Sequence, residues 1–155
     1  MKRKHRSKAK IRLSGDPALS TFCEPVVEGE DTSQIIRDMS HILSQSKNGI
    51  GLSANQAGHL KRIIIIRYPN FQILTNPIIS NVSEDTKTEQ EGCLSYPGIF
   101  KRIKRHKTIE VECNEWVGKR IYHDLPARIV QHEIDHLNGI CAVSKVKKFK
   151  ISEGR

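Results

Sequence analysis

The chain has 155 residues, 37% hydrophobic and only 5% aromatic, enough for one domain with an aliphatic core and no need of disulfides. Its 26 lysines and arginines against 17 acidic residues give a net charge of +9, yet no zinc-finger spacing, RNA-recognition signature or aromatic-basic interleaving accompanies that charge. No stretch has the apolar length of a membrane span and no signal segment opens the chain. Cys23, Cys93, Cys113 and Cys141 include no C-x-x-C pair, which fits a reducing compartment.

Residues 1–12 carry Lys2, Arg3, Lys4, Arg6, Lys8, Lys10 and Arg12 and read as a basic arm or short edge strand. Residues 13–31, rich in Pro, Gly and acidic side chains, read as an ordered loop. From Thr32 onward, Ile35, Ile36, Met39, Ile42 and Leu43 recur at helical spacing. Asp31 or Thr32 can cap this helix, with Asn48-Gly49 as a left-handed stop. Gly49-Ile50-Gly51-Leu52-Ser53-Ala54-Asn55-Gln56 follows, a run of small residues that lets the backbone pass close to something else or simply turns helix into strand.

Ile63–Ile66 predicts a buried strand, and short strands follow over 71–75 and Ile78–Val82, broken by Asn76-Pro77. Ile109, Val111 and Cys113 alternate with Glu110 and Glu112 as in a half-buried strand, and another strand covers Arg120–His123. Arg102, Lys104, Arg105 and Lys107 form a basic cluster, read as a solvated face or a hold for polyanions, as are the termini. A helix starts at Asp124-Leu125-Pro126 and stops before Gly139, with a last strand over 140–143. The fold class is α+β, mostly antiparallel strands around a central metal-binding helix. The organisation is a basic arm over 1–12, a single catalytic domain over 13–143 and a short basic tail over 144–155.

Chemistry concentrates in Gln131-His132-Glu133-Ile134-Asp135-His136. His132 and His136 stand one helical turn apart on one face and can reach one divalent ion, with Glu133 beside its open position. The bland alternative is a polar surface helix, and a third ligand decides between them. Glu91-Gly92-Cys93-Leu94-Ser95-Tyr96-Pro97-Gly98 offers Cys93, whose thiolate suits iron or zinc, although a lone cysteine also serves as a small buried hydrophobe.

The blocks 49–56, 91–95 and 131–136 resemble, in order, the three signature motifs of the peptide deformylase family. Asp16-Pro17, Asp38-Met39, Asn76-Pro77 and Ala127-Arg128 also fit, and the resemblance covers most of 13–141. It implies a hydrolase that removes the formyl group from N-formyl-methionyl nascent peptides as formate. By the same resemblance Cys93, His132 and His136 hold the metal, Fe2+ in the cell, with Zn2+, Ni2+ or Co2+ able to replace it. Glu133 then moves the proton of the attacking water, while the Gln56 amide and the Leu94 backbone N–H meet the formyl oxygen. The Gly49–Gly51 segment, with Gly51 among the substrate-binding residues, is expected to hold the substrate extended, and Ile50, Leu125, Arg128 and Ile129 to border the methionine pocket. Glu91 and Asp135 are candidate acceptors for the metal-bound histidines. The resemblance further implies a monomer in a bacterial or infected-host cytoplasm, with no membrane partner.

The chain departs from the family in places. Ser53 stands where Ala is frequent, and Phe100 where many bacterial members carry Arg. Only 19 residues follow His136, so the long C-terminal helix of many members has no room, and the short form resembles members carried by phages. The basic termini then suggest a weak electrostatic hold on ribosomal RNA. Three rival readings are weighed: a zinc metalloprotease, a nucleic-acid-binding module with structural zinc, and a decayed deformylase that binds without turnover. The first needs a His or Glu ligand downstream, where only Glu153 is available; the second needs four protein ligands where three are found; the third lacks no catalytic residue.

Overall fold

A computed structural model describes residues 7–144. Residues 1–6 and 145–155, with most of the basic clusters at the two ends, lie outside the described residues.

The fold grows outward from one strand. In the antiparallel order β1-β2-β3, Gly51–Ser53 (β1) and Gln72–Thr75 (β3) flank Ile63–Ile66 (β2). All four isoleucines of β2 are fully buried. Successive side chains of a strand point to opposite faces, and here both faces are covered. Ile63 and Ile65 pack with Ile35, Met39, Ile42 and Leu43 of the helix Ser33–Ser44 (α1). Ile64 and Ile66 pack with Ile129, Val130, Ile134 and Leu137 of the helix Asp124–Leu137 (α2). An unbroken isoleucine run is what such a central strand requires.

A second sheet, in the order β4-β7-β8, is built from Ile78–Val82 (β4), Thr108–Glu112 (β7) and Arg120–His123 (β8). Its Ile109, Val111 and Tyr122 close the same core around α2. A hairpin of Thr86–Cys93 (β5) and Tyr96–His106 (β6) completes the architecture. Two helices and mostly antiparallel strands thus make an α+β fold with α2 at its centre. At the N-terminal side, Ala9 and Ile11 pack against the α1 cluster and the Arg12 N–H donates to the Gln56 carbonyl.

Three local expectations change. The segment at 140–143 is no strand; Ala142–Ser144 forms a 3-10 turn instead, in which the Ser144 N–H donates to the Cys141 carbonyl at 3.1 Å. Helix α1 stops at Ser44, with Gln45 as C-cap in ordinary right-handed conformation, so Asn48-Gly49 is not its left-handed stop. Gly49 serves a steric need: a Cβ there would lie 2.9 Å from Leu94 Cδ1. The hairpin of β5 and β6 has no counterpart among the expected elements, since its strands carry many charges and little apolar alternation. The cap of α1 is resolved in favour of Asp31, whose carboxylate accepts the Ser33 N–H at 2.9 Å, while Thr32 makes no side-chain cap.

Candidate metal centre and catalytic site

Helix α2 carries its polar residues inward. Ten of its residues are buried, among them His132, Glu133 and His136 together with Gln131 and Arg128. Burying such groups is costly unless each finds a partner; Arg128, Gln131 and His132 find theirs on the strands around the helix, while Glu133 Oε2 and His136 Nδ1 have none among the described residues.

The turn between β5 and β6 brings Cys93 onto α2. Cys93 Sγ lies 3.2 Å from His136 Nε2, and His136 Nε2 lies 3.2 Å from His132 Nε2. All three donor atoms fall within 4.8 Å of one another. Ligands held by one zinc-sized ion at tetrahedral corners stand roughly 3.3–3.6 Å apart, close to what is seen. His132 Nδ1 faces Glu91 Oε1 at 2.9 Å, so with its proton there the Nε2 lone pair is bare and points at the other two donors. Two imidazole nitrogens and a thiol converging in this way fit a cation, which would displace the thiol proton on binding.

The electrostatics reinforce that arrangement. Burial, with His132 nearby, lowers His136 to about 3, so its imidazole is neutral and ready to ligate. Burial pulls His132 down, but the hydrogen bond to Glu91 and the charge of Glu133 more than offset it and raise the ring. Glu91 would rise through burial; its contacts with His132 and Arg105 instead hold it near about 2, a fixed anion. The Cys93 thiol is raised by its contact with the Cys141 thiol and by burial, a preference that a bound cation reverses by favouring thiolate.

Around Glu91 the structure assembles a clamp. Arg105 donates to both Glu91 oxygens at 3.0 Å and pairs with Asp135, while Arg128 pairs with Glu91 and donates to the carbonyls of Ile103 and Lys87. Arg105 belongs to the basic run over 102–107 expected on a solvated face or against a polyanion, yet its side chain is only 10% exposed and lies inside this network. No local pattern marks it; only the fold brings it to Glu91. Asp135, one of two candidate acceptors for a histidine, pairs with Arg105 instead, and Glu91 alone reaches His132.

Glu133 sits apart from that clamp. Burial raises its carboxyl to about 7, and Oε2 has no hydrogen-bond partner. Gly51 of β1 passes so close that a Cβ would meet Glu133 Oε1 and Ile129 Cγ2, each at 2.8 Å. Gln56, in the 3-10 turn Ala54–Ala57 after β1, has its Oε1 fixed by the Ser53 N–H and hydroxyl, both at 3.0 Å. Its Nε2 therefore faces Ser95 Oγ at 3.0 Å and Cys93 Sγ at 3.6 Å. Asn55 next door donates to the His136 carbonyl at 2.6 Å, tying this turn to α2. Ser95 and Asn55 lay within the motif blocks, but nothing in the sequence assigned them a partner.

A cavity of about 520 Å3 opens onto these groups. Ile50, Gly51, Leu94, Leu125, Arg128, Ile129, Glu133, Gln56, Cys93 and His132 all line it. Every residue expected at the site meets there except His136, which lies behind Cys93 and His132.

The sequence matches the polypeptide deformylase family over residues 8–152. The chain belongs to that family. A peptide deformylase of Thermotoga neapolitana is 33% identical over 150 residues, 91% of this chain and 88% of that protein. In structure, the deformylase of a Vibrio parahaemolyticus bacteriophage, solved with actinonin, is similar with a TM-score of 0.79 and 38% identity, covering 85% of this chain and 98% of that one. The Acinetobacter baumannii class I type b deformylase, solved with Met-Ala-Ser, gives a TM-score of 0.80 at 29% identity over 91% of this chain and 99% of its own. As a peptide deformylase the chain is a metal-dependent hydrolase that removes the N-terminal formyl group from new polypeptides. No described helix is long and apolar enough to cross a membrane.

Proposed function

We propose that Cys93, His132 and His136 hold one divalent cation, Fe2+ in the cell and replaceable by Zn2+, Ni2+ or Co2+, and that Glu133, Gln56 and Leu94 carry the chemistry. The observation behind this reading is the convergence of a thiol and two imidazole nitrogens beside a buried, partly unpaired carboxyl. Such a cation would supply Lewis acidity and a water made acidic enough to attack near neutral pH.

The protein's own groups do the rest. Glu133, a buried carboxyl with no partner on Oε2, accepts the proton of the attacking water and returns it to the leaving amine nitrogen, so that formate and a free amino group result. Charge grows on the formyl oxygen as water adds. The Gln56 Nε2 group, aimed by the anchoring of Oε1, and the Leu94 N–H donate to that oxygen where it gains most from them.

The substrate is an N-formyl-methionyl peptide, and the Met-Ala-Ser bound by the A. baumannii enzyme has the sequence such a product would have. Ile50, Leu125 and Ile129 give the methionine side chain an apolar wall, with Gly51 leaving the chain room to lie extended along β1. Arg128 contributes its stem, because its guanidinium is engaged by Glu91 and two carbonyls. Residues 13–143 form the catalytic unit, a monomer acting in the cytoplasm. The basic termini add a weak, salt-sensitive hold on ribosomal RNA. Co-sedimentation with ribosomes should be present at low salt and lost on deleting 1–12 and 145–155; sedimentation that survives the deletion removes that part of the reading.

The metal assignment is tested by elemental analysis of protein prepared anaerobically with Fe2+. One equivalent in the wild type, and loss of most of it in Cys93→Ala, His132→Ala and His136→Ala, is the expected result. Full retention in all three would overturn the ligand set.

A further inference from the structure

The mouth of the cavity is unusually apolar for exposed surface. Ile50 and Ile99 are each 41% exposed, Leu125 36% and Phe100 62%, and all four line the same opening. Exposed apolar side chains gathered at a cavity mouth, rather than scattered, mark a surface that a ligand covers. Phe100 is the most exposed of them and is held in place. In the ladder of β5 and β6 it stands opposite Gly92, the residue before Cys93. A Cβ on residue 92 would meet the Phe100 ring at 2.7 Å, so the ring lies directly on the glycine backbone. The Cδ1–Cε1 edge of the ring is seated; the rest of the ring is left to solvent at the opening.

The cavity is also larger than its first occupant. The formyl-methionyl unit has ten non-hydrogen atoms, which fill roughly 300 Å3 at the generous allowance of one water volume per atom. Out of about 520 Å3, that leaves room for part of the chain that follows. In an extended peptide successive side chains point to opposite sides, so only one of the second and third residues faces β6.

We propose that Phe100 is a specificity-determining residue whose exposed ring packs against the side chain of whichever of these two residues faces β6, favouring aromatic and large apolar side chains there. The occupant is the substrate itself, because the patch is continuous with the cavity that takes the formyl-methionyl end. An aromatic pair in offset or edge contact is stronger than area alone provides, enough for about a tenfold preference over serine. The proposal rests on the deformylase reading of the site.

The test compares kcat/KM for formyl-Met-Ser-Ser, formyl-Met-Phe-Ser and formyl-Met-Ser-Phe, in wild type and in Phe100→Ser. Turnover of formyl-Met-Ser-Ser by the wild type establishes the reaction separately from the preference. One phenylalanine peptide should then exceed formyl-Met-Ser-Ser by about tenfold in the wild type, and the ratio should fall to within about twofold of one in the variant. No preference in the wild type, or a preference undiminished in Phe100→Ser, overturns the proposal. So does a uniform rise for all three peptides in the variant, which would mean that the ring is covered by another part of this chain or a second copy.

Discussion

Glu133 shows how one buried residue trades stability for chemistry. Its carboxyl rises from the ordinary carboxylate range to about 7 through burial, with no partner on Oε2. Between pH 4.5 and about 7 the folded metal-free protein holds a proton that the unfolded chain has released. The contribution is therefore present below pH 4.5 and is lost as pH rises to about 7. Glu133→Gln removes that dependence and should stabilise the metal-free protein at pH 8 by up to about 3 kcal/mol, read from urea unfolding. The same substitution should lower kcat by about 10²- to 10⁴-fold, since amide nitrogen cannot accept the water's proton. For the metal-loaded wild type, kcat/KM should fall on the acid side as Glu133 protonates, at a pH below about 7 because a neighbouring cation favours the carboxylate. The residues of the metal motif were legible in the sequence because their spacing on one helix face needs no knowledge of the fold.

At the scale of elements, α2 and the hairpin of β5 and β6 are joined by charge. Arg105 on β6 reaches both Glu91 on β5 and Asp135 on α2, and Glu91 in turn fixes His132. Arg105→Ala should destabilise by about 3 kcal/mol, because it leaves buried Glu91 with less compensation, and should weaken metal binding about 10- to 100-fold through a looser His132. Chelator competition reads the second effect independently of unfolding. Glu91 is held near about 2, so its stabilising contribution is present above pH 4.5 and is lost as pH falls toward 2; Glu91→Gln should flatten the acid limb of the stability curve over that window. Gly51→Ala on β1 should cost activity more than stability, since its methyl group would crowd Glu133 Oε1 and Ile129. Helix α1 was readable from apolar periodicity, β2 from its unbroken isoleucine run, and α2 from its histidine spacing between Pro126 and Gly139. The hairpin and its clamp were not: Glu91 and Arg105 are 14 residues apart along the chain, and a charge run does not show which of its members turns inward.

For the whole molecule, three separate structures converge on one site: the β5–β6 turn brings Cys93 and Leu94, the turn after β1 brings Gln56, and α2 brings His132 and Glu133 to the cavity with His136 behind them. Asn55 ties the second of these to the third through the His136 carbonyl. The resemblance of the motif blocks to the family's signatures implied that they act together, while the contacts that join them appear only in the folded chain. The central claim is that this joint site hydrolyses the formyl amide with Glu133 moving the proton. Formate release from formyl-Met-Ala-Ser by anaerobically prepared Fe2+ protein, beside a Glu133→Ala protein of equal metal content, tests it most directly. Turnover in the wild type and at least a hundredfold loss in the variant is the expected result. Equal turnover in the two, or none in a fully metal-loaded wild type, would contradict it.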